Sequence, residues 1–261
     1  MSAIHMGYIK NSVKEVLRPF IPAHVRFVRA GKGFLRGGER EVHELGRLVT
    51  PGTTAVDVGA HIGDYTYSLC KHVGSGGHVL AVEPLPDLAR MVAKATQKLK
   101  LPVTVINCAL STEPGEAELR VPWSHGERMA GYATLESREK AVGGQVFRVQ
   151  LRTLDAVCAS APSRISFIKI DVEGHELSVL RSAVETLKKH RPNLLIEIEQ
   201  RHSPVPIAET HAFVLSQGYR GEFLTPDRQR HELSEFKPDV HQVTTPAGRA
   251  QYVSNFIFTP L

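Results

Sequence analysis

The alternation of strand-like and helix-like segments constrains this chain more than any other feature of its sequence. Strands separated by helices of about 10–15 residues indicate a parallel sheet with right-handed crossovers. Continuous apolar runs within the strands indicate burial on both faces. The chain is therefore predicted to be an α/β protein with helices on both sides of a sheet. The strand-like runs are 54–58, 78–83, 103–107, 165–171 and 193–199, and the predicted helices are 62–73, 87–100, 176–190 and 206–217.

Two parts of the chain depart from this alternation. Near the C-terminus, the runs 219–224 and 252–258 are joined only by a polar loop, which predicts an antiparallel pair at one edge of the sheet. Residues 116–150 contain two strand-like runs around a glycine- and histidine-containing stretch, which predicts a hairpin. We expect residues 39–261 to form one domain with this segment as an insertion, and residues 1–38 to form an N-terminal extension.

The composition is that of an ordinary soluble globular protein. Of 261 residues, 42% are hydrophobic and 23% are charged. No stretch approaches the ~20 apolar residues that a membrane span requires. The three cysteines, Cys70, Cys108 and Cys158, lack metal-ligand spacing. These features favour a reducing, cytoplasmic location.

The N-terminal 36 residues account for the net positive charge of the chain, since they contain seven Lys or Arg against one acid, Glu15. Apolar residues recur at helical spacing between Ile9 and Phe20, so an amphipathic helix is expected. Such a helix can pack on its own domain with a solvated basic side, or it can contact a membrane surface peripherally. No aromatic residues alternate with the basic ones, so a specific nucleic-acid partner is not expected.

A short motif follows the first predicted strand and opens the first helix. In "VDVGAHIGDYT" (56–66), Asp57 lies in the strand, and Gly59 and Gly63 lie in the turn. The spacing is not the G-x-G-x-x-G that places a pyrophosphate at a helix N-terminus. An acid at the strand end suits instead a cationic or zwitterionic ligand, such as the amino-acid end of S-adenosylmethionine. Glu83 ends the second strand, where its carboxylate can accept hydrogen bonds from two ribose hydroxyls.

Six segments together resemble the FkbM family of S-adenosylmethionine-dependent methyltransferases. The segments agree with the family in order and spacing over residues 40–200. They are "VDVGAHIGDYT", "AVEPLPD", "NCALS", "VQLRTLD", "IKIDVEGHELSVLRSA" and "PNLLIEIE". The resemblance implies a class I methyltransferase fold of the Rossmann-like type. Such a fold has a mostly parallel seven-stranded sheet in the order 3-2-1-4-5-7-6, with the last strand antiparallel.

The same resemblance implies a set of residues that bind S-adenosylmethionine. Glu83 would hold the ribose, and Asn107 and Ala109 would border the adenine. Family members largely methylate oxygen, often on sugars or secondary-metabolite scaffolds, so a small-molecule or glycan acceptor is expected. The full set is Asp57, Gly59, Ala60, His61, Gly63, Glu83, Pro84, Asn107, Ala109 and Asp171.

The segment "FIKIDVEGHE" (167–176) places four ionisable residues after a buried strand. In the implied strand order, Asp171 and either Glu197 or Glu199 converge beside the cofactor's methyl group. Ionised carboxylates at this depth are costly unless they are hydrogen-bonded, paired or bound to a cation. The candidate cations are the sulfonium, a divalent metal and a buried lysine or arginine. The carboxylate oxygens are hard ligands that suit Mg²⁺, although no compact ligand spacing identifies a metal site.

Methyl transfer to a hydroxyl also requires removal of a proton. His175 is the first candidate for the general base, because imidazole titrates near neutral pH. Asp171 would orient the acceptor or that histidine, and Glu173 would either contribute to the site or cap the following helix. The catalytic candidates are thus Asp171, His175, Glu173 and Glu197.

The acceptor pocket is expected to draw on the segment 116–145, which contains Trp123, His125, Tyr132 and Ser137. The leading hypothesis is an O-methyltransferase. Two alternatives stay open at this point: an NAD-dependent oxidoreductase on a similar sheet, and a family member that binds the cofactor without catalysis. The sequence does not determine the oligomeric state.

Overall fold

The computed structural model describes residues 21–124, 127–135, 144–245 and 248–261. Its main sheet has eight strands in the order β11-β10-β12-β9-β8-β1-β2-β3. The strands of this sheet are β1 (Thr54–Val58), β2 (His78–Val82), β3 (Val103–Ile106), β8 (Ile165–Ile170), β9 (Asn193–Glu197), β10 (Tyr219–Leu224), β11 (Arg230–Glu232) and β12 (Asn255–Pro260).

Seven of these strands form the sheet of a class I methyltransferase, which confirms the fold inferred from the resemblance. The central strands pair in parallel, and β12 is antiparallel to both β9 and β10. The C-terminal pair of strands is also confirmed, but it does not form the outer edge, because the short strand β11 pairs with β10 beyond it.

A second sheet interrupts the alternation, and it contains the predicted hairpin, in which β5 and β7 pair antiparallel from Gly115 to Leu151. Its order is β4-β7-β5-β6. The strands are β4 (Ala109–Leu110), β5 (Gly115–Ser124), β6 (Glu127–Arg128) and β7 (Gly144–Arg152).

Helices cover both faces of the main sheet, because neighbouring residues of each buried strand point to opposite sides. The helices are α1 (Ala23–Gly37), α2 (Leu45–Leu48), α3 (Asp64–Val73), α4 (Pro86–Lys98), α5 (Leu154–Cys158), α6 (Glu176–Arg181), α7 (Val184–His190), α8 (Ile207–Ser216) and α9 (Pro238–His241). Phe167 and Leu195 pack toward α2 and α3, whereas Ile168 and Ile196 pack toward α6, α7 and α8.

The single helix predicted over 176–190 is wrong, since the structure has two helices there. Ser182 breaks the helix because its hydroxyl accepts a hydrogen bond from the Leu154 amide, and its carbonyl accepts one from the Asp155 amide. The Asp155 carboxylate in turn accepts hydrogen bonds from the amide and hydroxyl of Thr186 at the start of α7. The "TLD" segment therefore holds the helix pair in place.

Helix α1 packs on the domain through Phe27, which is fully buried against Tyr67 of α3 and Val92 of α4. The amphipathic segment expected between Ile9 and Phe20 lies outside the described residues. No described helix is long and apolar enough to cross a membrane.

Candidate active site

The carboxyl ends of β1, β2 and β8 meet at one edge of the sheet and open into a cleft. Open α/β sheets bind their ligands at this position. Six of the ten expected cofactor residues line the cleft, together with Glu173 and His175. The six are Gly59, His61, Glu83, Pro84, Ala109 and Asp171. The other four, Asp57, Ala60, Gly63 and Asn107, lie in the elements that support it.

The loop after β1 approaches its neighbours too closely for side chains at its glycines. Gly59 has a φ of +86°, and a Cβ there would lie 1.9 Å from the carbonyl oxygen of Asp171. Gly63 has a φ of +90° and lies against the Phe27 ring. The Gly59 and Ala60 amides both donate to the carbonyl of Val82, which joins the loop to β2. Glycine at these two positions therefore lets the loop pack closely against the end of β8 and against α1.

Asp57 is buried beneath this loop, with 1% of its surface exposed. One carboxylate oxygen accepts a hydrogen bond from the Thr66 hydroxyl. Burial raises the pKa of Asp57 to about 6. Asp57 therefore connects the end of β1 to helix α3 and does not line the cleft itself.

Glu83 is held in the cleft by two backbone donors. The amide of His61 donates to one carboxylate oxygen at 2.7 Å, and the amide of Leu85 donates to the other at 2.8 Å. Burial raises the pKa of Glu83 to about 7. Each carboxylate oxygen can accept more than one hydrogen bond, so the two oxygens of Glu83 can still accept hydrogen bonds from two hydroxyls of a ligand. The residues thus fit the ribose of the expected cofactor.

The far wall of the cleft comes from the second sheet and its connections. Asn107 donates from its side-chain amide to the carbonyls of Glu83 and Pro84, which ties β3 to the end of β2. Ala109 of β4 lines the cleft and packs in one cluster with Leu119 and Ala133 of the insertion, which line it as well. The insertion therefore forms part of the wall around the expected cofactor position.

Asp171 and Glu197 lie on either side of a buried lysine. Lys169 Nζ is 3.9 Å from Asp171 Oδ2 and 4.0 Å from Glu197 Oε2, and the lysine is 1% exposed. Burial alone would lower the pKa of Lys169, but the negative charges of the surrounding carboxylates raise it, and Asp171 has the largest effect among them. Burial and the charge of Asp171 raise the pKa of Glu197 well above its usual value. One of the cations considered from the sequence, a buried lysine, therefore lies near both carboxylates.

Lys169 belongs to a hydrogen-bond network that sequence reasoning missed. Its ammonium donates to Asn255 Oδ1 at 3.0 Å, and Asn255 Nδ2 donates to Glu39 Oε2 at 3.0 Å. The Tyr65 hydroxyl donates to the same Glu39 oxygen at 2.6 Å. A lysine in the middle of an otherwise apolar strand was the one signal in the sequence that could have indicated this network.

The loop after β8 carries the remaining acids and histidines. Glu173 does not cap the following helix, since its Oε2 lies 2.8 Å from Nδ1 of His202. Glu176, the first residue of α6, accepts a hydrogen bond from the Gly174 amide in the loop before the helix. His202 was not predicted as a site residue, although it lies near Asp171 and Glu197 around a small pocket.

His175 lies on the cleft side of the same loop, with its Nε2 3.0 Å from the Ser111 hydroxyl. The loop is fastened to the insertion by the Thr134 hydroxyl, which donates to the Glu173 carbonyl at 2.9 Å. The contact between the insertion and this loop therefore lies next to two of the four catalytic candidates, Glu173 and His175.

The oxygens of Glu199 are occupied by side chains. Arg201 makes a bidentate ion pair with them, and the Tyr252 hydroxyl donates to one of them. These partners lower the pKa of Glu199 although its burial opposes the shift. Among the described residues, no group of three or more His, Cys, Asp or Glu is arranged to hold a metal ion. The donor set therefore does not support the magnesium considered from the sequence.

Two of the four residues expected at the acceptor pocket are described, and both are exposed. Trp123 is 50% exposed in β5, and Tyr132 is 42% exposed with its ring stacked on His202 at a centroid distance of 6.2 Å. His125 and Ser137 lie outside the described residues. Tyr132 brings the insertion next to the acids of β8 and β9.

The chain is similar to several solved methyltransferase structures. A FkbM methyltransferase from Methylobacillus flagellatus KT shares 18% sequence identity with this chain, and the TM-score is 0.49. The match covers 90% of this chain and 54% of the other. This chain therefore spans about half the length of that relative. A SAM-dependent methyltransferase from Aquifex aeolicus shares 17% identity, with 89% and 97% coverage and a TM-score of 0.43. Aeropyrum pernix fibrillarin, with natively bound S-adenosyl-L-methionine, shares 12% identity, with 91% and 75% coverage and a TM-score of 0.46.

No protein of curated function shows significant sequence similarity to the chain. The methyltransferase FkbM domain family matches residues 57–220, which is more than half of the chain and contains every expected cofactor and catalytic residue. This match decides against the oxidoreductase hypothesis. The chain belongs to the FkbM family of methyltransferases.

Proposed function

We propose that the protein is an S-adenosylmethionine-dependent O-methyltransferase that acts on a hydroxyl of a sugar, a glycan or a secondary metabolite. The observation that carries the proposal is the arrangement of Glu83 and Asp171 around one cleft, with Glu197 beyond Asp171 at the next strand end. Glu83 provides acceptors for a ribose diol, and the two other acids provide acceptors for a second ligand beside it.

Several residues would hold the cofactor. Glu83 would accept hydrogen bonds from its ribose hydroxyls, the loop residues Gly59 and His61 would face its amino-acid part, and Pro84 and Ala109 would flank its adenine. When bound, the cofactor supplies an electrophilic methyl group on a sulfonium. The excess of carboxylates near Lys169 favours a ligand of positive charge at this position.

Asp171 is the proposed orienting residue for the acceptor hydroxyl, because its carboxylate lies at the mouth of the cleft and is 31% exposed. Lys169 holds Asp171 and Glu197 near each other, so that both can accept hydrogen bonds from one acceptor. Correct orientation of two reactants can lower a barrier by several kcal/mol. Burial and the charge of Asp171 raise the pKa of Glu197, which favours its protonated form.

His175 is the proposed general base, and it would take the hydroxyl proton on its imidazole ring. General-base catalysis typically contributes about 10²–10⁴-fold in rate. Replacement of His175 by alanine should lower kcat by that factor and remove the corresponding limb of the pH–rate profile. His202→Ala is the matched control, since His202 contacts Glu173 on the other side of the same loop. A larger loss in the control would assign the proton transfer to His202.

Calorimetry with S-adenosylmethionine and with NAD tests the cofactor. We expect binding of S-adenosylmethionine only, and binding of NAD alone would refute the proposal. Release of S-adenosylhomocysteine with a panel of sugars, glycans and hydroxylated polyketides tests the reaction. Cofactor binding without release for any acceptor would support a family member that does not catalyse methyl transfer.

A further inference from the structure

The two helical layers of the molecule differ strongly in charge. Helices α1, α3 and α4, on one side of the sheet, contain eight Lys or Arg and two acids. Helices α5 to α8, on the other side, contain three Lys or Arg and four acids. The positive charge is therefore concentrated on one layer. Seven exposed side chains define what we call the basic face: Arg29, Lys32, Arg36, Lys71, Arg90, Lys94 and Lys98.

The packing of α1 makes this face continuous. Phe27 packs against both α3 and α4, and Gly31 lies so close to Tyr67 that a Cβ there would be 2.3 Å from its ring. The apolar side of α1 is thus turned inward, and its basic residues lie outside next to those of the two neighbouring helices. Phe27 also contacts Gly63, so the basic face adjoins the loop of the proposed cofactor site.

The charge of the basic face is not neutralised within the described part of the chain. None of its seven side chains forms an ion pair with a described residue. The one exposed acid of the three helices, Asp87, is paired with Arg128 of the insertion at 2.9 Å. Uncompensated charges of one sign produce a field that attracts a surface of the opposite sign.

We infer that the basic face docks the protein on a membrane surface rich in anionic phospholipids. The aromatic side chains of these helices are buried or half-buried, whereas single-stranded nucleic acids are usually bound by exposed stacking aromatics. Val25 of α1 is 42% exposed beside the basic residues, and an apolar side chain among cations suits the boundary of a bilayer. The inference extends the membrane contact considered for residues 1–36 to α3 and α4.

Co-sedimentation of the full-length protein with vesicles tests this inference. We expect binding to mixed phosphatidylcholine–phosphatidylserine vesicles, no binding to phosphatidylcholine alone, and release at about 0.5 M NaCl, where charge attraction is screened. The variant Arg29→Glu/Lys32→Glu/Lys94→Glu should lower the partition coefficient about 100-fold, from a loss of roughly fivefold or more per basic residue.

The matched control is Arg181→Glu/Lys188→Glu/Lys189→Glu, which makes the same charge change on exposed residues of the opposite layer. It should change the partition coefficient by less than about threefold, because these residues would face away from the bilayer. Thermal unfolding of both variants verifies that they are folded. The inference is overturned by equal losses in the two variants, by equal binding to neutral vesicles, by absence of vesicle binding, or by binding of duplex RNA without vesicle binding. Cofactor calorimetry is a separate measurement, so this inference can fail while the proposed function stands.

Discussion

The carboxylates at the two halves of the cleft are stabilised in different ways. On the proposed cofactor side, Asp57 and Glu83 accept hydrogen bonds from residues at most 22 positions away, namely Thr66, His61 and Leu85. On the proposed acceptor side, Asp171 and Glu197 face one buried ammonium. That ammonium is held by Asn255, which lies 86 residues from Lys169.

This difference separates a rigid half from a half that depends on one charge. Backbone amides on the cofactor side keep their positions whatever the protonation of the acids, so that half is formed before a ligand arrives. The acceptor side would instead lose its geometry if the ammonium were removed, because two close carboxylates repel each other. We therefore expect substitutions to affect the two halves differently.

Lys169→Met removes the cation and should lower the free energy of unfolding by about 3–5 kcal/mol, the usual result of breaking a buried ion pair. Denaturant titration of the wild-type protein and the variant measures this change in the free energy of unfolding. Loss of the ammonium raises the pKa of Glu197 further, and a carboxyl with a raised pKa loses its stabilising proton as pH rises. The variant should therefore be less destabilised at about pH 5 than at about pH 8.

The double variant Lys169→Met/Glu197→Gln is the control for this prediction. It removes the repulsion between Glu197 and Asp171 along with the cation, so it should recover part of the lost stability. If Lys169→Met cost less than about 1 kcal/mol, which is the range of a surface ion pair, the acceptor side would not depend on the lysine.

Glu83→Gln should weaken S-adenosylmethionine binding about 10–100-fold, since a hydrogen bond to a charged group contributes about 1.5–3 kcal/mol. Calorimetry measures this change, and exposed Glu113 provides the control Glu113→Gln. The pKa of Glu83 is about 7, so wild-type protein loses stability as pH rises through that value. The variant should lack this contribution. An unchanged affinity would place the ribose elsewhere.

Thr134→Val removes the hydrogen bond from the insertion to the Glu173 carbonyl and should cost about 0.5–1.5 kcal/mol of stability. Cofactor affinity should also fall, by about threefold to tenfold, because residues beside Thr134 form a wall of the cleft. Thr96→Val removes a similar buried hydrogen bond within α4 and should affect stability alone. Equal affinities for the two variants would show that the insertion does not contribute to the cofactor site.

Much of the fold could be predicted because the information is local. The apolar runs predicted as strands over 54–58, 165–171 and 193–199 form the strands Thr54–Val58, Ile165–Ile170 and Asn193–Glu197, since each run must be buried on both faces. The turn after β1 was equally accessible, because Gly59 and Gly63 adopt positive φ values that favour glycine. Position at a strand end also predicted that Glu83 and Asp171 lie at one edge of the sheet, where both line the cleft.

The remaining features depend on residues that meet only in three dimensions. The helix over 176–190 is broken because Ser182 finds partners at Leu154 and Asp155, about 30 positions away, which no helical periodicity reveals. The pairing of Glu173 with His202 likewise depends on how two loops lie together.

The sequence by itself determined the order of strands and helices, the turn that approaches the cofactor position and the acids at the strand ends. Those properties follow from burial, backbone conformation and position along a strand, each of which is encoded by near neighbours. Only the tertiary structure decided which cation lies between Asp171 and Glu197 and that three helices present one basic face. Charges act through space, so their partners are set by the packing of distant segments.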